Sequence, residues 1–495
     1  MTSQNFNIPI HKPVQEAFNG VKVGKNGRLI PTAYSQVKTF ENGKEPIKAF
    51  YIGLDGNDDN EGTYDKPFLS FEKALSVTEP GTSILIKPGV YNDIFLFAHN
   101  LNGTEKKPIW IGGIPGEEYP VFTLPSPLTI AGGSYLVLHD MEVTRLTEPL
   151  KGDSVDSYAH GIHVNDGGTL DSSHYFVFRN LYVHNIWNSP FKLSGIDYGY
   201  LFDCEIADDP LYGRNSGSAD HVRSNNMTMA YNYMHGTTTN GFSFKGGSYD
   251  SIIHHNLIVD CHVGAHMGQS TGVQFFRPPL LPMGETQVTY EARNILTYSN
   301  IMIDVLTPFT ISSARDCYAV NNTIIVRKPR IPNQSRLFRI LNQGAWFHKK
   351  NEDGREIESK PIMPATANNG YPHFDTIANN IFYYGGEMAT DILNGGKDIP
   401  LDTFTVKNNL FYNYSNKNCL PDEYTDSDFA YIFDDFKHED LIIGQDPLFE
   451  DADNNDFKLR ANSPALDSGA DYDFAKEDFF GKPFAKKRSI GAVQF

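Results

Sequence analysis

The chain has 495 residues, a formal net charge of −18 and 40% apolar side chains, enough apolar material for a core, so a disordered chain is excluded. The negative balance argues against general binding to nucleic acid or to an anionic membrane. No apolar run approaches the roughly 18 residues of a membrane span, and four scattered cysteines (Cys204, Cys261, Cys317, Cys419) form neither a metal pair nor a disulfide framework and read as buried thiols.

In chain order, residues 1–45 are polar and turn-rich, an arm expected to lie on the body. The opening Met1-Thr2-Ser3-Gln4-Asn5-Phe6 lacks the basic and apolar regions of a secretory signal. An extracytoplasmic location therefore presumes a removed leader; otherwise association with a phage or a cell is expected. Residues 46–125 read as a capping module: a strand at Lys48–Ile52, a helix from Ser70 to Val77 with Ser70 as N-cap, and a strand at Ser83–Ile86. An open solenoid end exposes strand edge and apolar core, which such a helix would cover.

From 126 to 415 a fragment recurs: a polar residue, then Asn, then apolar residues. It stands at Arg179-Asn180-Leu181, Tyr231-Asn232-Tyr233, His255-Asn256-Leu257, Ser299-Asn300-Ile301, Asn321-Asn322-Thr323, Asn379-Asn380-Ile381 and Asn408-Asn409-Leu410. Repetition at roughly 20–50-residue spacing, with β-branched and aromatic residues between turn formers, predicts a single-stranded parallel β-helix. Inward asparagines at a bend would bond their counterparts above and below. Interruptions near 206–218, 269–291 and 343–370 read as loops walling one face. Residues 416–495 are acidic and turn-rich, ending in Ser463-Pro464-Ala465-Leu466-Asp467, and read as final coils and cap.

Coils stack about 4.8 Å apart, so aligned strands place distant residues in rows. Aligning one strand per coil sends Val164, Leu193, Val222, Phe244, Met267, Ile311 and Ile340 inward. The outward row then reads His163, Lys192, His221, Ser243, His266, Thr310 and Arg339, and its neighbour contains Arg223 and Lys245, with no carboxylate in either. His221, Arg223, Lys245 and His266 would lie within about 10 Å. A cationic, imidazole-rich stripe on an acidic protein suits an anionic ligand, because like charges on neighbouring strands otherwise destabilise a sheet.

Uronate glycans are cleaved by β-elimination, which needs the sugar carboxylate neutralised and a base at C5. Lys245 is the expected base, with His266 or His221 as partner acid or alternative base, and Arg223 gripping the carboxylate. Lys192, His163, Arg339, Arg277 and Asp220 are the expected binding residues, with Trp187 stacking on a sugar ring. No cofactor is required by this chemistry; a calcium ion held by Asp203, Asp208 and Asp209 is the candidate metal.

The repeats, the opening Tyr51-Ile52-Gly53-Leu54-Asp55-Gly56 and the Ser463–Asp467 tail resemble the right-handed β-helix, pectate-lyase-like proteins. Locally, Lys245-Gly246-Gly247-Ser248 and Gly264-Ala265-His266-Met267-Gly268 are similar to the catalytic region of chondroitinase B-type and alginate lyases. That resemblance implies a Lys base at Lys245 and an Arg acid about a coil later, where this chain has His266. The family's calcium-binding acidic residues before the Lys are replaced here by Thr237-Thr238-Thr239-Asn240.

The expected function is thus a polysaccharide lyase on an acidic glycan. A C5-epimerase, a glycoside hydrolase drawing on Asp220 or Glu291, and a non-catalytic glycan-binding or tailspike-like protein are the alternatives. No heptads mark a trimer, so a monomer is expected.

Overall fold

The computed structural model describes residues 37–124, 127–145, 160–168, 173–186, 188–207, 217–269, 271–272, 275–276, 290–329, 335–341, 372–385, 399–415 and 438–494. It also describes the backbone of short strands at 21–23, 29–31, 346–350, 356–361 and 389–395. Cys419, Trp187, Asp208, Asp209 and Arg277 lie outside the described residues.

The chain winds into a right-handed parallel β-helix with three sheets along its length. One coil shows the plan: Asn240–Lys245 lies on the first sheet, Ser248–His254 on the second and Leu257–Val259 on the third. Each strand pairs in parallel with its counterpart a coil away, as in Ser243↔His266, Ile252↔Leu296 and Leu257↔Ile301. At the start, a helix α1 (Phe71–Ser76) buries Phe71 and Ala74, and the Ser70 hydroxyl accepts from the Lys73 amide at 3.1 Å. This helix closes one open end of the apolar core, as the sequence predicts.

The corner between the second and third sheets carries the asparagine ladder. Asn232, Asn256, Asn300, Asn322, Asn380 and Asn409 are fully or almost fully buried, and each side-chain amide up to Asn380 donates to the next rung's Oδ1 at 2.9–3.0 Å, while Asn409 donates to the Ile377 carbonyl. The preceding residue takes a left-handed backbone, with φ from +51° to +55° at Tyr231, His255, Ser299, Asn321, Asn379 and Asn408. That conformation costs about 1–2 kcal/mol for a residue with a Cβ; the ladder's bonds to otherwise orphaned carbonyls offset it. Asn180 is offset by one: it occupies the left-handed position itself and bonds Asp140 at 3.0 Å, while Leu181 fills the core.

Inside the first sheet, one column reads Phe191, Ala219, Phe242, Ala265, Phe309, Phe338, all fully buried. From Phe191 to Phe309 large and small side chains alternate from coil to coil, so each phenyl ring packs over an alanine. Cys204, Cys261 and Cys317 are buried free thiols.

Two segments lie against the outside. Glu41 binds Arg179 at 2.8 Å and the Trp110 ring nitrogen at 3.1 Å, tying the stretch after residue 37 to the second sheet. The tail reaches back over earlier coils: Asn321 donates to the Ser489 carbonyl and Asn379 to that of Ala470, while Phe479, Ile490 and Val493 pack on the third sheet. Long connections join Val143 to Ile162, Ala207 to Gly217, Met267 to Ala292 and Leu341 to Thr376. Every one of them begins or ends at a first-sheet strand.

Candidate functional site

On the outer face of the first sheet, strand pairing defines one continuous outward row: Phe97, Thr129, His163, Lys192, Asp220, Ser243, His266, Thr310, Arg339. The expected row had His221 where Asp220 stands. The register instead aligns Leu193 with His221 and His221 with Phe244, so His221 points into the interior. It is fully buried, its ring stacked on Phe244 at 4.3 Å, and its Nδ1 donates to the Ser243 carbonyl at 3.1 Å. Val222, expected inside, faces outward one position before the corner. The cause is the Phe/Ala column: Ala219 must sit between Phe191 and Phe242, and that choice turns every neighbour.

A carboxylate therefore takes the imidazole's place. Asp220 has a side chain only 4% exposed and bridges two cations, Lys192 Nζ at 2.5 Å and Lys245 Nζ at 3.1 Å. Burial alone would raise its pKa, but Lys192 and Lys245 prevail and hold it well below the usual carboxylate range. Lys192 is pushed down by burial, with Asp220 opposing and Lys245 adding to the push. Lys245 stands one row over, aligned with Val222, and also donates to Gln269 Oε1 at 3.1 Å.

His266 faces this ensemble from the next coil. Neither ring nitrogen has a hydrogen-bond partner among the described residues, and neither does the Thr310 hydroxyl beside it in the row. Burial, then the charges of Lys245 and Arg339, push its pKa down to about 3, so the ring is neutral. Upstream, His160 and His163 approach with ring centroids 5.1 Å apart. Burial lowers both, His160 to about 3 with help from His163 and Lys192.

Arg223 is not in the row. It is the corner residue after the first sheet, with φ +48°, and its guanidinium pairs with Asp166 at 2.7 Å. Glycine serves the equivalent corner in the neighbouring coils at Gly195 and Gly246, with φ +71° and +65°. Asp203 sits at the corner between the second and third sheets with φ +52°, away from this row. No group of three or more metal-ligating side chains occurs among the described residues. No described helix is long and apolar enough to cross a membrane.

Sequence reasoning offered Glu291 only as a carboxylate for the hydrolase alternative, not as a structural clip beside Lys245. It precedes a second-sheet strand and folds back so that its carboxyl accepts from the Gly246 amide at 2.9 Å, the Thr271 amide at 2.8 Å and the Thr271 hydroxyl at 2.6 Å. Burial pushes it up to about 7 against those donors. It clips the stretch after Gly268 to the corner beside Lys245. No sequence pattern marks it, because its partners come from separate coils.

No family model matches the chain. A Bacillus subtilis (strain 168) protein, the uncharacterized YwoF, is 28% identical over 160 residues, which cover 31% of this chain and 32% of that protein. The match thus spans about a third of that curated relative's length. Among solved structures, XylC in complex with xylose superposes with a TM-score of 0.51 at 10% identity, covering 90% of this chain and 98% of that one. The GH136 lacto-N-biosidase from Eubacterium ramulus gives a TM-score of 0.47 at 12% identity, over 80% and 68% of the two chains. At such identities the likeness concerns architecture. The fold they share is the right-handed parallel β-helix.

Proposed function

We propose that the protein cleaves a uronate-containing glycan by β-elimination on the outer face of its first sheet. The observation that carries this reading is His266: a neutral imidazole with no hydrogen-bond partner among the described residues, placed near Lys245, Arg339 and Asp220. Lys245 neutralises the sugar carboxylate, which makes the C5 proton removable, while Lys192 and Arg339, several coils to either side, bind flanking carboxylates. His266 takes that proton; the C5–H electrons form the C4–C5 double bond as the C4–oxygen bond breaks. The Lys245 ammonium, held by Asp220 and Gln269, protonates the departing oxygen. These roles reverse the expectation of a Lys245 base and a His266 acid, because a ring kept neutral has no proton to give and an ammonium bonded to a carboxylate does. An anionic substrate beside His266 also raises the ring's proton affinity from its value in the empty groove. XylC, the neighbour with the TM-score of 0.51, was solved with xylose, which supports a saccharide ligand.

Incubation with alginate, pectate, chondroitin, hyaluronan and heparinoid should give products absorbing at the unsaturated-uronate band with at least one polymer. Lys245→Ala and His266→Ala should each abolish that signal without unfolding the protein, since both side chains face outward. Calcium held by Asp203, Asp208 and Asp209 is not needed where protein cations neutralise the substrate, so chelation should leave the rate unchanged; a calcium-reversible loss would contradict this. New reducing ends without new absorbance would reject elimination in favour of hydrolysis. One observation favours that second reading: Asp220 is held ionised while Glu291 is pushed up to about 7, the divergence that separates a carboxylate base from a carboxylic acid. Against it, both Glu291 oxygens are already occupied by Gly246 and Thr271.

A further inference from the structure

The outer face of the second sheet holds a cavity of about 410 Å³ that plays no part in the chemistry above. Its origin is legible in two columns. Thr228 stands between Tyr200 and Ile252, and Ala230 between Phe202 and His254, so two small residues sit in one coil between bulky neighbours. The sheet surface dips there. The stretch around Val37 and Lys38 covers it from one end, and Phe474, Lys476 and Glu477 of the tail from the other. The two covering segments do not close over the dip.

The polar floor has a defined hydrogen-bond polarity. His255 Nε2 lies 2.8 Å from the Asp478 carbonyl, which only accepts, so Nε2 carries the proton. His255 Nδ1 must then accept from His254 Nδ1, 2.7 Å away. His254 is left with a lone pair at Nε2. Burial keeps both rings neutral, His255 with a pKa of about 4 and His254 well below its usual value, so this polarity holds at neutral pH. His254 is fixed in place by stacking on Tyr298 at 5.1 Å and by the Tyr231 edge at 5.6 Å.

We propose that this cavity is a second, non-catalytic saccharide site that binds one neutral pyranose ring. The volume is that of a small-ligand pocket. Tyr200, Ile252, Tyr298 and Phe474 supply apolar and aromatic walls for the C–H faces of a sugar ring. His254 Nε2 accepts from a ring hydroxyl, a hydrogen bond that a plain hydrocarbon ligand cannot make. Lys38 and Lys476 against Glu477 give the rim both signs of charge, which suits a neutral polyhydroxyl ligand better than a uronate. Such a site would hold a branch or neighbouring chain of a polymer while the first-sheet groove engages another part.

Ligand-observed nuclear magnetic resonance on the full chain, with D-xylose, D-glucose and D-galactose as probes, tests this. At least one sugar should bind with millimolar affinity, as expected for a single small ring. Thr228→Phe, which fills the dip at a half-buried surface position, should weaken binding about tenfold or more. His254→Phe keeps the stacking on Tyr298, removes the acceptor and should weaken it likewise, so either variant suffices if the other fails to fold. Lys245→Ala should leave this binding unchanged, which separates it from the groove. No binding of any of the three sugars, unchanged binding in a folded Thr228→Phe or His254→Phe protein, or loss of binding in Lys245→Ala would each overturn the proposal.

Discussion

Asp220 stands almost without exposed surface between two lysines, and its charge survives only because both of them face it. Removing one partner of a buried ion pair costs about 3–5 kcal/mol, because the other charge is left uncompensated. Asp220→Asn should therefore lose about 3 kcal/mol in denaturant unfolding and also release Lys192 from its anchor. A loss below about 1 kcal/mol would mean water already satisfies these groups. The residue's importance was half visible beforehand. Ala219-Asp220-His221-Val222 is apolar, polar, polar, apolar, a pattern that fits either register. Only the bulk of Phe191 and Phe242 on either side of Ala219 decides it. Lys192, Lys245 and His266 needed no such arbitration, because Phe-Lys-Leu, Phe-Lys-Gly and Ala-His-Met each alternate plainly.

The ladder is the element that sets one coil upon the next. Asn300 accepts from both the amide and the side chain of Asn256, at 2.9 and 3.0 Å. It also donates to the Ile253 and Tyr298 carbonyls. Asn300→Ala orphans two buried donors, each worth about 1–3 kcal/mol, so a loss of about 3 kcal/mol or more is expected in equilibrium unfolding. The same change at Asn180, which is a corner residue rather than a rung, should cost far less. If the two variants were equally stable, the ladder would not be the stabilising feature. The rungs were readable because Asn repeats before the same apolar run. The offset at Asn180 was not, since Asn is also favoured at the left-handed position that precedes a rung. The clip made by Glu291 belongs to this scale too, joining an amide at one corner to a hydroxyl after the next.

Across the molecule, burial of neutral imidazoles ties stability to pH. His160 and His266 have pKa values of about 3, and His221 and His255 of about 4. In the unfolded chain each takes up a proton near pH 6.5. Between those values the unfolded state binds more protons, so stability falls as the pH drops, by up to about 1.4 kcal/mol per pH unit for each group. Glu291, between about 7 and its ordinary value of 4.5, and the raised carboxyls of Asp375 and Asp478 act in the opposite sense, but His163 and His254 are lowered as well, so six imidazoles stand against three carboxyls. The urea midpoint should therefore be clearly lower at about pH 5 than at about pH 7.5; an equal or higher midpoint at the acid end would contradict the burial of these rings.

Composition, the recurring Asn fragment and strand alternation were sufficient for the parallel coil, its capping helix and the approximate rows, because a solenoid repeats local rules and each coil meets only its neighbours. The tertiary structure decided what no single coil encodes. It placed Asp220 rather than His221 on the groove, because core volume is shared between adjacent coils. It sent Arg223 to a corner beside Asp166, and it brought Val37 and Lys38 and, from the tail, Phe474 to Glu477 to the edges of one dip in the second sheet. Those outcomes depend on side-chain bulk stacked from coil to coil and on segments hundreds of residues apart, which a pattern read along the chain does not contain.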